Sequence, residues 1–457
     1  MSEIKQISEC FIKPEFEIED SKRQYYLNAL QLSLLQLNYI HISYIFKKPS
    51  NYSPLSHLKK LKFSLSKALV YFYPLAGRLE TAQSEDEHSC LIYVNCLKGP
   101  GVRVVHASVL SIDICHVLST NSDVPSILGC LIDLGEGQVV NYDGHSRPLL
   151  SVQLTELADA VVLGISVNHC VVDGTSYNHF HQTWSHLFMG SLSSSMSRPL
   201  IQNPAVKMPY LDPSEFLSRS ASHSGSQFRE RFFHFSVSSI KNLKAFVNKE
   251  SLRNGTHEPV SSFKALSGFI WRCITRARRI NPSELTSCTL PVNARPRFHP
   301  PLSQDYFGSY YTRAKASAKV GELLENNVGW AASLLHRALL SLDDKAVKTL
   351  FERAFDEGPQ LLSPSLSLSS NDVVVAGSNR FNIYGPEFGL GVPVGCRGGY
   401  GNKYDGKVNC YLGNEGQGSV GLELCLEHKT MTSLLLDQEF MAFVSYQNSD
   451  SNLISRI

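Results

Sequence analysis

The chain has 457 residues, more than a single hydrophobic core usually supports, so we predict two domains. Apolar residues make up 43% and charged residues 18%, a balance typical of a well-buried globular protein and not of a disordered one. The formal net charge of +2 supplies no long-range field that would recruit nucleic acid or an anionic membrane.

The cysteine usage and the termini bear on location. The 11 cysteines are scattered without a CxxC pair, which disfavours a disulfide framework and a zinc site and favours a reducing compartment. Residues 1–20 lack an apolar signal region, and no uncharged apolar run approaches the roughly 18 residues of a membrane helix. We predict a cytoplasmic protein. The final Ser455-Arg456-Ile457 loosely resembles a peroxisomal signal and gives a weaker alternative.

The predicted elements of the N-terminal half alternate between helices and strands. Leucines recur at helical intervals over 56–70 and predict a helix, which Pro74 and Gly77 would end. Strict alternation of apolar and polar residues predicts a half-buried strand over 150–155. A second strand over 161–167 alternates apolar with small residues, as a more buried strand does.

The stretch His169-Cys170-Val171-Val172-Asp173-Gly174 follows the second strand, and a helical period begins at Ser176. A histidine that leaves a buried strand can keep a near-neutral pKa and act as a general base. Asp173 could orient that histidine, or it could turn away and brace the loop through an arginine. Taken alone, the pattern also fits a structural histidine at a strand end.

Residues 190–227 are rich in serine and proline, and this composition predicts a crossover between domains. We therefore predict an N-terminal domain over 1–189 and a C-terminal domain over 228–457. The elements predicted for the C-terminal half are a strand over 232–237, a helix capped near Ser238 or Ser239, helices over 264–279, 320–340 and 343–355, a strand-rich tail over 372–428 and a final helix over 430–445.

Three patterns are not interpreted as sites. The arginines that end the 264–279 helix suit its dipole, and the absence of interleaved aromatic residues disfavours a nucleic-acid surface. The glycine-rich stretch 389–395 lacks GxGxxG spacing and a following helix, so a β turn is favoured over a dinucleotide loop. His179, His181 and His186 do not share a helix face at ligand spacing, and no metal site is predicted.

Seven stretches, in their order and spacing, closely resemble the plant BAHD acyl-CoA-dependent acyltransferases, with their HxxxDG and DFGWG signatures. The resemblance covers about residues 5–445. The stretches are Tyr73-Pro74-Leu75-Ala76-Gly77-Arg78, the His169–Gly174 motif, Ile270-Trp271-Arg272-Cys273, Asn293-Ala294-Arg295-Pro296-Arg297, Tyr306-Phe307-Gly308, Glu387-Phe388-Gly389-Leu390-Gly391-Val392-Pro393 and Asn402-Lys403-Tyr404-Asp405-Gly406-Lys407.

The resemblance implies an α/β fold of two chloramphenicol-acetyltransferase-like domains, each a mixed sheet with helices. A long crossover joins them, and a solvent channel runs between them. It implies transfer of an acyl group from acyl-CoA, a co-substrate and not a permanently bound cofactor, to a small-molecule alcohol or amine. A monomer without metal, nucleic-acid or membrane partners is expected.

Roles for single residues follow from the same resemblance. His169 would be the general base, and Cys170 a packing residue. Asp173 would be a structural brace paired with Arg297 or Arg295. Glu387 opens the DFGWG-like stretch, where it would keep a structural role by pairing with an arginine.

The resemblance also implies which residues bind the reactants. The phosphates of coenzyme A would meet Ser261, Ser262 and Lys264, with Arg397, Lys403 and Lys407 from the late loop. Ser378 and Asn379 stand where the family holds the oxyanion with a Thr-Ser-Trp stretch, and they are candidates for that role.

The late stretches Ser378-Asn379-Arg380-Phe381 and Gly401-Asn402-Lys403 look closest to a subgroup that includes the isochorismoyl-glutamate lyase of salicylate biosynthesis. That lyase lacks the motif histidine, so the presence of His169 favours a transferase. Two alternatives remain: a lyase that acts on an amino-acid conjugate, and a catalytically silent binding protein, which the lost tryptophan of DFGWG motivates.

Overall fold

The structure is a computed structural model, and three β-sheets with their covering helices account for its architecture. The residues it describes are 4–17, 19–22, 24–84, 88–119, 122–132, 139–191, 197–203, 205–210, 228–253, 259–359, 361, 370–377, 381–399, 401, 403–413 and 415–446.

The N-terminal sheet has six strands, two of which are the predicted hairpin with Leu150 opposite Val167. In spatial order its strands are Lys5–Ile12, Val102–Ser108, Leu150–Glu156, Ala160–Val167, Ile40–Lys47 and Gly395–Gly398. The second and third of these run parallel, and the other neighbours are antiparallel.

The C-terminal sheet also has six strands, in the order Phe228–Phe235, Val420–Glu427, Lys407–Leu412, Val373–Gly377, Leu285–Asn293 and Tyr311–Lys319. In this order the third and fourth neighbouring pairs are parallel, and the other three pairs are antiparallel. A smaller sheet is formed by Tyr25–Tyr26, Ser89–Asn95 and Arg78–Ser84, to which Met208–Pro209 adds a short strand.

The helices cover these sheets because each has an apolar face. They span Ala29–Leu32, Pro54–Tyr71, Ile114–Leu118, Ile127–Cys130, Gly174–Met189, Val237–Arg253, Ser262–Arg278, Val320–Glu325, Val328–Leu340, Asp344–Asp356, His428–Leu435 and Gln438–Phe443. Short 3-10 turns occupy Glu19–Lys22, Tyr73–Ala76, Asn141–His145 and Arg295–Arg297.

Two of the predicted helices are wrong in extent, and in both cases a capping side chain divides them. The predicted helix over 320–340 is two helices, because the side chain of Asn327 accepts from the N–H of Trp330 at 3.0 Å and starts a new one. The predicted final helix is likewise divided at Asp437, whose carboxylate accepts from the N–H of Phe440 at 3.1 Å. The helical spacing of apolar residues continues across each break, so the sequence pattern does not show where the helix ends.

The core lies on both faces of the N-terminal sheet but on one face of the C-terminal sheet. Pro54–Tyr71 and Gly174–Met189 pack on one side of the N-terminal sheet. The side chains of Val373, Val375 and Val408 are buried with the helices that cover the C-terminal sheet. The opposite face of the C-terminal sheet carries polar side chains, which bear on the site described below.

The two halves are joined by more than a linker. Gly395–Gly398 pairs with Ile40–Lys47, so the C-terminal half completes the N-terminal sheet. In the described part of 190–227, the N–H of Leu200 donates to the Asp305 carbonyl at 2.8 Å, and the Leu200 carbonyl accepts from Phe307 at 2.9 Å. The rest of this segment lies outside the described residues, and the domain bounds stay a prediction.

Among the described residues, no helix combines the length and apolarity needed to cross a membrane, and no cluster of His, Cys, Asp and Glu there could hold a metal ion. All 11 cysteines fall within the described ranges, and they are free thiols. The Ser455-Arg456-Ile457 sequence lies outside those ranges, so the predictions about location stay predictions.

Candidate active site

The loop that carries His169 is held by two buried asparagines. It connects the strand Ala160–Val167 to the helix Gly174–Met189. The N–H of His169 donates to the side-chain oxygen of Asn141 at 2.7 Å, and the Asn168 amide donates to the Asn141 carbonyl at 2.8 Å. The Asn141 amide in turn donates to the Leu34 carbonyl at 2.8 Å. The backbone of His169 is therefore fixed before any ligand arrives.

The side chain of His169 is held in one tautomer. Its Nδ1 lies 2.9 Å from the carbonyl oxygen of Val172, which can only accept, so Nδ1 carries the proton. Nε2 then presents a lone pair. The ring stacks on Tyr311, with centroids 5.3 Å apart and planes inclined by 25°. This arrangement makes Nε2 a proton acceptor of fixed direction.

The surroundings keep this imidazole neutral. Part of the residue remains accessible, yet protein surrounds it, and the loss of solvation lowers the pKa of His169 below its ordinary 6.5. The Val172 carbonyl and the Asp173 charge oppose that shift, while Lys407 adds to it. Burial also raises the pKa of the Cys170 thiol, which is fully buried, and this fits a packing residue.

Asp173 faces away from His169 and into a buried ion pair. Its Oδ2 accepts from Arg295 at 2.6 Å and from the N–H of Tyr310 at 3.0 Å. Its Oδ1 accepts from the N–H of Ser176 at 2.9 Å and so caps the helix Gly174–Met189. One carboxylate thus ties the histidine loop, the next helix and the 306–310 segment together.

Arg295 completes this brace with hydrogen bonds to backbone carbonyls. The guanidinium is fully buried and donates to the carbonyls of Tyr306 at 2.8 Å and Gly308 at 2.9 Å. It also donates to the Ser176 hydroxyl at 3.1 Å. Its planar set of donors is suited to contacts in several directions at once.

Of the two arginines predicted to pair with Asp173, the structure places Arg295 there and not Arg297. Arg297 instead donates to the carbonyls of Leu339 at 2.8 Å and Leu342 at 3.1 Å. It therefore satisfies carbonyls at the end of the helix Val328–Leu340. The 3-10 turn Arg295–Arg297 sends the two side chains to different parts of the fold.

The DFGWG-like stretch packs against the helix that Asp173 caps. Phe388 is fully buried, with a ring centroid 4.8 Å from that of Trp184 and 5.8 Å from that of Phe188. The expected pairing of Glu387 with an arginine is wrong within the described residues, where it makes no ion pair. Its backbone N–H donates to the Ser185 hydroxyl at 3.1 Å. The phenylalanine, and not the carboxylate, attaches this stretch to the site.

We expect Glu387→Gln to change the free energy of unfolding by less than about 0.5 kcal/mol, as at other positions without a specific contact. The backbone hydrogen bond to Ser185 does not depend on the carboxylate. Urea unfolding monitored by circular dichroism would measure the change. A loss of 2 kcal/mol or more would instead indicate an ion pair essential to the fold.

The coenzyme A candidates at 261–264 begin a helix. The Ser261 hydroxyl accepts from the N–H of Lys264 at 3.4 Å, and Ser262 is the first helical residue. The Lys264 ammonium lies 2.8 Å from Nδ1 of His336. All three residues keep partial exposure. An exposed helix start of this kind can bind a phosphate group, so these residues remain candidates.

Two other candidate ligands of coenzyme A have protein partners that disfavour this role. Arg397 is only 5% exposed, donates to the Leu118 carbonyl at 2.9 Å and stacks 3.9 Å from the ring centroid of Phe232. The Lys403 ammonium pairs with Glu230 at 2.8 Å and forms a shorter contact with Glu423. Arg397 therefore links the two halves of the protein, because Leu118 belongs to the N-terminal half and Phe232 to the C-terminal half. Lys403 is held within the C-terminal sheet.

Ser378 and Asn379, the oxyanion candidates, lie outside the described residues. The resemblance also implies an acceptor pocket formed by residues around 32–39 and 306–311, and Tyr311 belongs to the second of these segments. Asn141 and Asn168 were not identified as parts of the site. Asn168 precedes the motif directly and could have been noticed. Asn141 lies 28 residues before His169, so no local pattern signals it.

Comparisons with known proteins establish the family of this chain. A family model described as the transferase family matches residues 3–441. An uncharacterised acetyltransferase of Arabidopsis thaliana is 30% identical over 455 residues, which cover 96% of this chain and 99% of that protein. The chain belongs to the BAHD acyltransferase family. The predicted family is confirmed, and its assignment to one subgroup stays a prediction.

Solved structures show the BAHD fold directly. The crystal structure of vinorine synthase matches with a TM-score of 0.74 at 19% identity, covering 97% of this chain and 99% of that one. TRI101 of F. graminearum, complexed with coenzyme A and deoxynivalenol, matches with a TM-score of 0.74 at 17% identity, covering 93% and 99%. The predicted α/β fold of two chloramphenicol-acetyltransferase-like domains is confirmed.

Proposed function

We propose that this BAHD protein transfers an acyl group from coenzyme A to a hydroxyl or amine group of a small molecule, with His169 as the general base. The family supplies the reaction class. TRI101, which shares the fold, has been crystallised with coenzyme A and a small molecule. Acyl-CoA would enter as a co-substrate that is consumed in each turnover.

The proposed reaction is a direct displacement. Nε2 of His169 takes the proton from the acceptor as its oxygen or nitrogen attacks the thioester carbonyl carbon. The tetrahedral intermediate then expels the coenzyme A thiolate, and the imidazolium returns the proton to that sulfur. The products are the acylated acceptor and free coenzyme A. No acyl group passes through Cys170.

The observation that carries this proposal is the fixed tautomer of His169. His145, by contrast, uses both ring nitrogens within the fold, with Thr81 and with the Tyr142 carbonyl. In His169, Nδ1 donates to the Val172 carbonyl, and no described residue hydrogen-bonds to Nε2. A neutral imidazole with one free nitrogen is the form that a general base requires.

Release of free thiol tests the proposal. The protein would be incubated with a panel of acyl-CoAs and hydroxyl or amine acceptors, with thiol measured by a chromogenic reagent and products by mass spectrometry. We expect thiol release that requires both reactants and a product heavier by the acyl group. Product formed from an amino-acid conjugate without coenzyme A would instead identify a lyase. No turnover across the panel would favour a binding protein.

The activity in acyl transfer should be lost at low pH, with a midpoint set by the pKa of His169. A general base works in its neutral form, so activity is present above the pKa of His169 and is lost as the pH falls through it. Because desolvation lowers that pKa from 6.5, the midpoint of the acid limb of kcat/KM should lie below 6.5. A midpoint at or above 6.5, with the fold intact by circular dichroism, would contradict this assignment.

A further inference from the structure

The polar face of the C-terminal sheet directs one lysine towards the histidine site. On the strand Lys407–Leu412, Val408 and Cys410 point into the core, which leaves Lys407 on the opposite face. Lys407 pairs with Val374, Val374 with Thr289, and Thr289 with Lys315. Tyr311 lies four residues before Lys315 and so shares this face with Lys407.

The charge of Lys407 also acts on the imidazole of His169. The Tyr311 ring stacks on His169, and the charge of Lys407 lowers the pKa of that imidazole. The Lys407 ammonium lies 5.9 Å from the ring centroid of Tyr404. Like His169, Lys407 keeps partial exposure although protein surrounds it. Part of each residue is therefore accessible.

Lys407 has no anionic partner among the described residues. Four carboxylates near it along the chain and on the same sheet are already paired. Asp405 pairs with Arg278, Asp372 with Lys315, and Glu230 and Glu423 pair with Lys403. Desolvation, and then the charge of Lys403, lowers the pKa of Lys407 to about 8. At neutral pH the group is still mostly protonated.

A desolvated ammonium without an anionic partner among the described residues is costly to the folded protein. The cost is offset when an anion arrives, because the desolvated charge attracts it more strongly than an exposed lysine would. The phosphates of coenzyme A are poor candidates. The thioester must sit at His169, and the pantetheine arm carries the phosphates away from it. The remaining candidate for binding to Lys407 is an anionic group carried by the acceptor or by the acyl group.

We propose that the Lys407 ammonium binds a carboxylate carried by the small-molecule substrate and so makes the enzyme selective for carboxylated reactants. The inference rests on the acyl transfer proposed above and adds a substrate class to it. The carboxylate belongs either to the acceptor or to the far end of the acyl group. The chemistry of recognition is the same in both cases.

Matched substrate pairs test the inference. The acceptor pairs are hydroxylated carboxylic acids and their methyl esters, and the donor pair is malonyl-CoA and isovaleryl-CoA, which have similar shapes. In the wild type, we expect either the acceptor pairs or the donor pair to show a kcat/KM at least tenfold higher for the acid than for its neutral partner. Lys407→Met should abolish that preference, because it should lower kcat/KM for the acid much more than for its neutral partner. Which pair responds identifies the source of the carboxylate.

Controls separate this role from others. Lys407→Arg should retain part of the preference, and Lys315→Met, on the same face but 50% exposed, should leave it unchanged. Lys407→Met should unfold at a higher temperature than the wild type, since it removes an unpaired charge, and this verifies that it folds. An equal loss for acid and neutral substrates in Lys407→Met would overturn the inference, since it would indicate a general role in the reaction.

A binding measurement keeps the inference independent of turnover. Hydroxy acids, in the absence of acyl-CoA, should raise the thermal midpoint of the wild type more than their methyl esters do, and should not do so in Lys407→Met. Malonyl-CoA and isovaleryl-CoA would be compared in the same way. If no acyl-CoA is turned over, the proposed function fails, while a Lys407-dependent shift still supports the carboxylate site. No Lys407-dependent acid preference in either measurement would overturn the inference.

Discussion

Replacing His169 by asparagine should lower kcat for acyl transfer by about 10²–10⁴-fold, the usual contribution of a positioned general base. Asparagine is chosen because its amide nitrogen can take the place of Nδ1 and keep the hydrogen bond to the Val172 carbonyl. The loop should therefore stay in place while the proton acceptor is lost. Thiol-release kinetics at saturating acyl-CoA would measure the change.

The matched control for this variant is His116→Asn. His116 is exposed on the helix Ile114–Leu118, far from the histidine loop in the chain, and it should leave kcat unchanged. The thermal midpoint of His169→Asn should lie within a few degrees of the wild type. A His169→Asn protein that keeps more than a tenth of the wild-type kcat would show that another group removes the proton.

Replacing Asp173 by alanine should lower the free energy of unfolding by about 3–5 kcal/mol, because it leaves the fully buried Arg295 guanidinium without its carboxylate. The N–H groups of Ser176 and Tyr310 lose their acceptor as well. Chemical denaturation at neutral pH would measure the loss. Activity should fall with it, since the same carboxylate holds the loop that carries His169.

A surface ion pair provides the contrast. Glu19 and Lys22 approach to 2.9 Å with side chains 79% and 55% exposed, and Glu19→Ala should cost less than about 1 kcal/mol. Combining Asp173→Ala with Arg295→Met should cost less than the sum of the two single changes, because the second change removes the unpaired charge. Strict additivity would mean that the two side chains do not stabilise each other.

The periodic patterns predicted most of the elements near the site. The hairpin Leu150–Val167 and the helix Gly174–Met189 follow from alternation and from a change of period, both of which are local properties. The breaks in the two divided helices were not predicted from these local patterns, although Asn327 and Asp437 are good capping residues. An isolated capping signal is weak when the apolar period continues past it.

The site itself was only partly predictable. His169 and Asp173 were assigned from a motif, and the choice between Arg295 and Arg297 could not be made from the sequence. Both arginines stand in one short turn, and only its three-dimensional direction decides which one reaches the carboxylate.

Arg397 and Lys403 show a second limit of the same kind. Two basic residues in a late loop were predicted to meet the phosphates of coenzyme A. Lys403 instead finds Glu230, which lies far back in the chain, and Arg397 finds the ring of Phe232. Whether a cation is free for a ligand depends on partners brought together by the sheet, and the sequence does not show those partners.

The exchanged strand Gly395–Gly398 has a consequence for synthesis on the ribosome. Until it arrives, Ile40–Lys47 is an open edge of the N-terminal sheet. At 5–20 residues per second, the interval between the end of the strand Ala160–Val167 and the arrival of Gly395 is roughly 10–50 s. Throughout that interval the nascent chain presents an unpaired backbone edge, which other chains or a chaperone could bind.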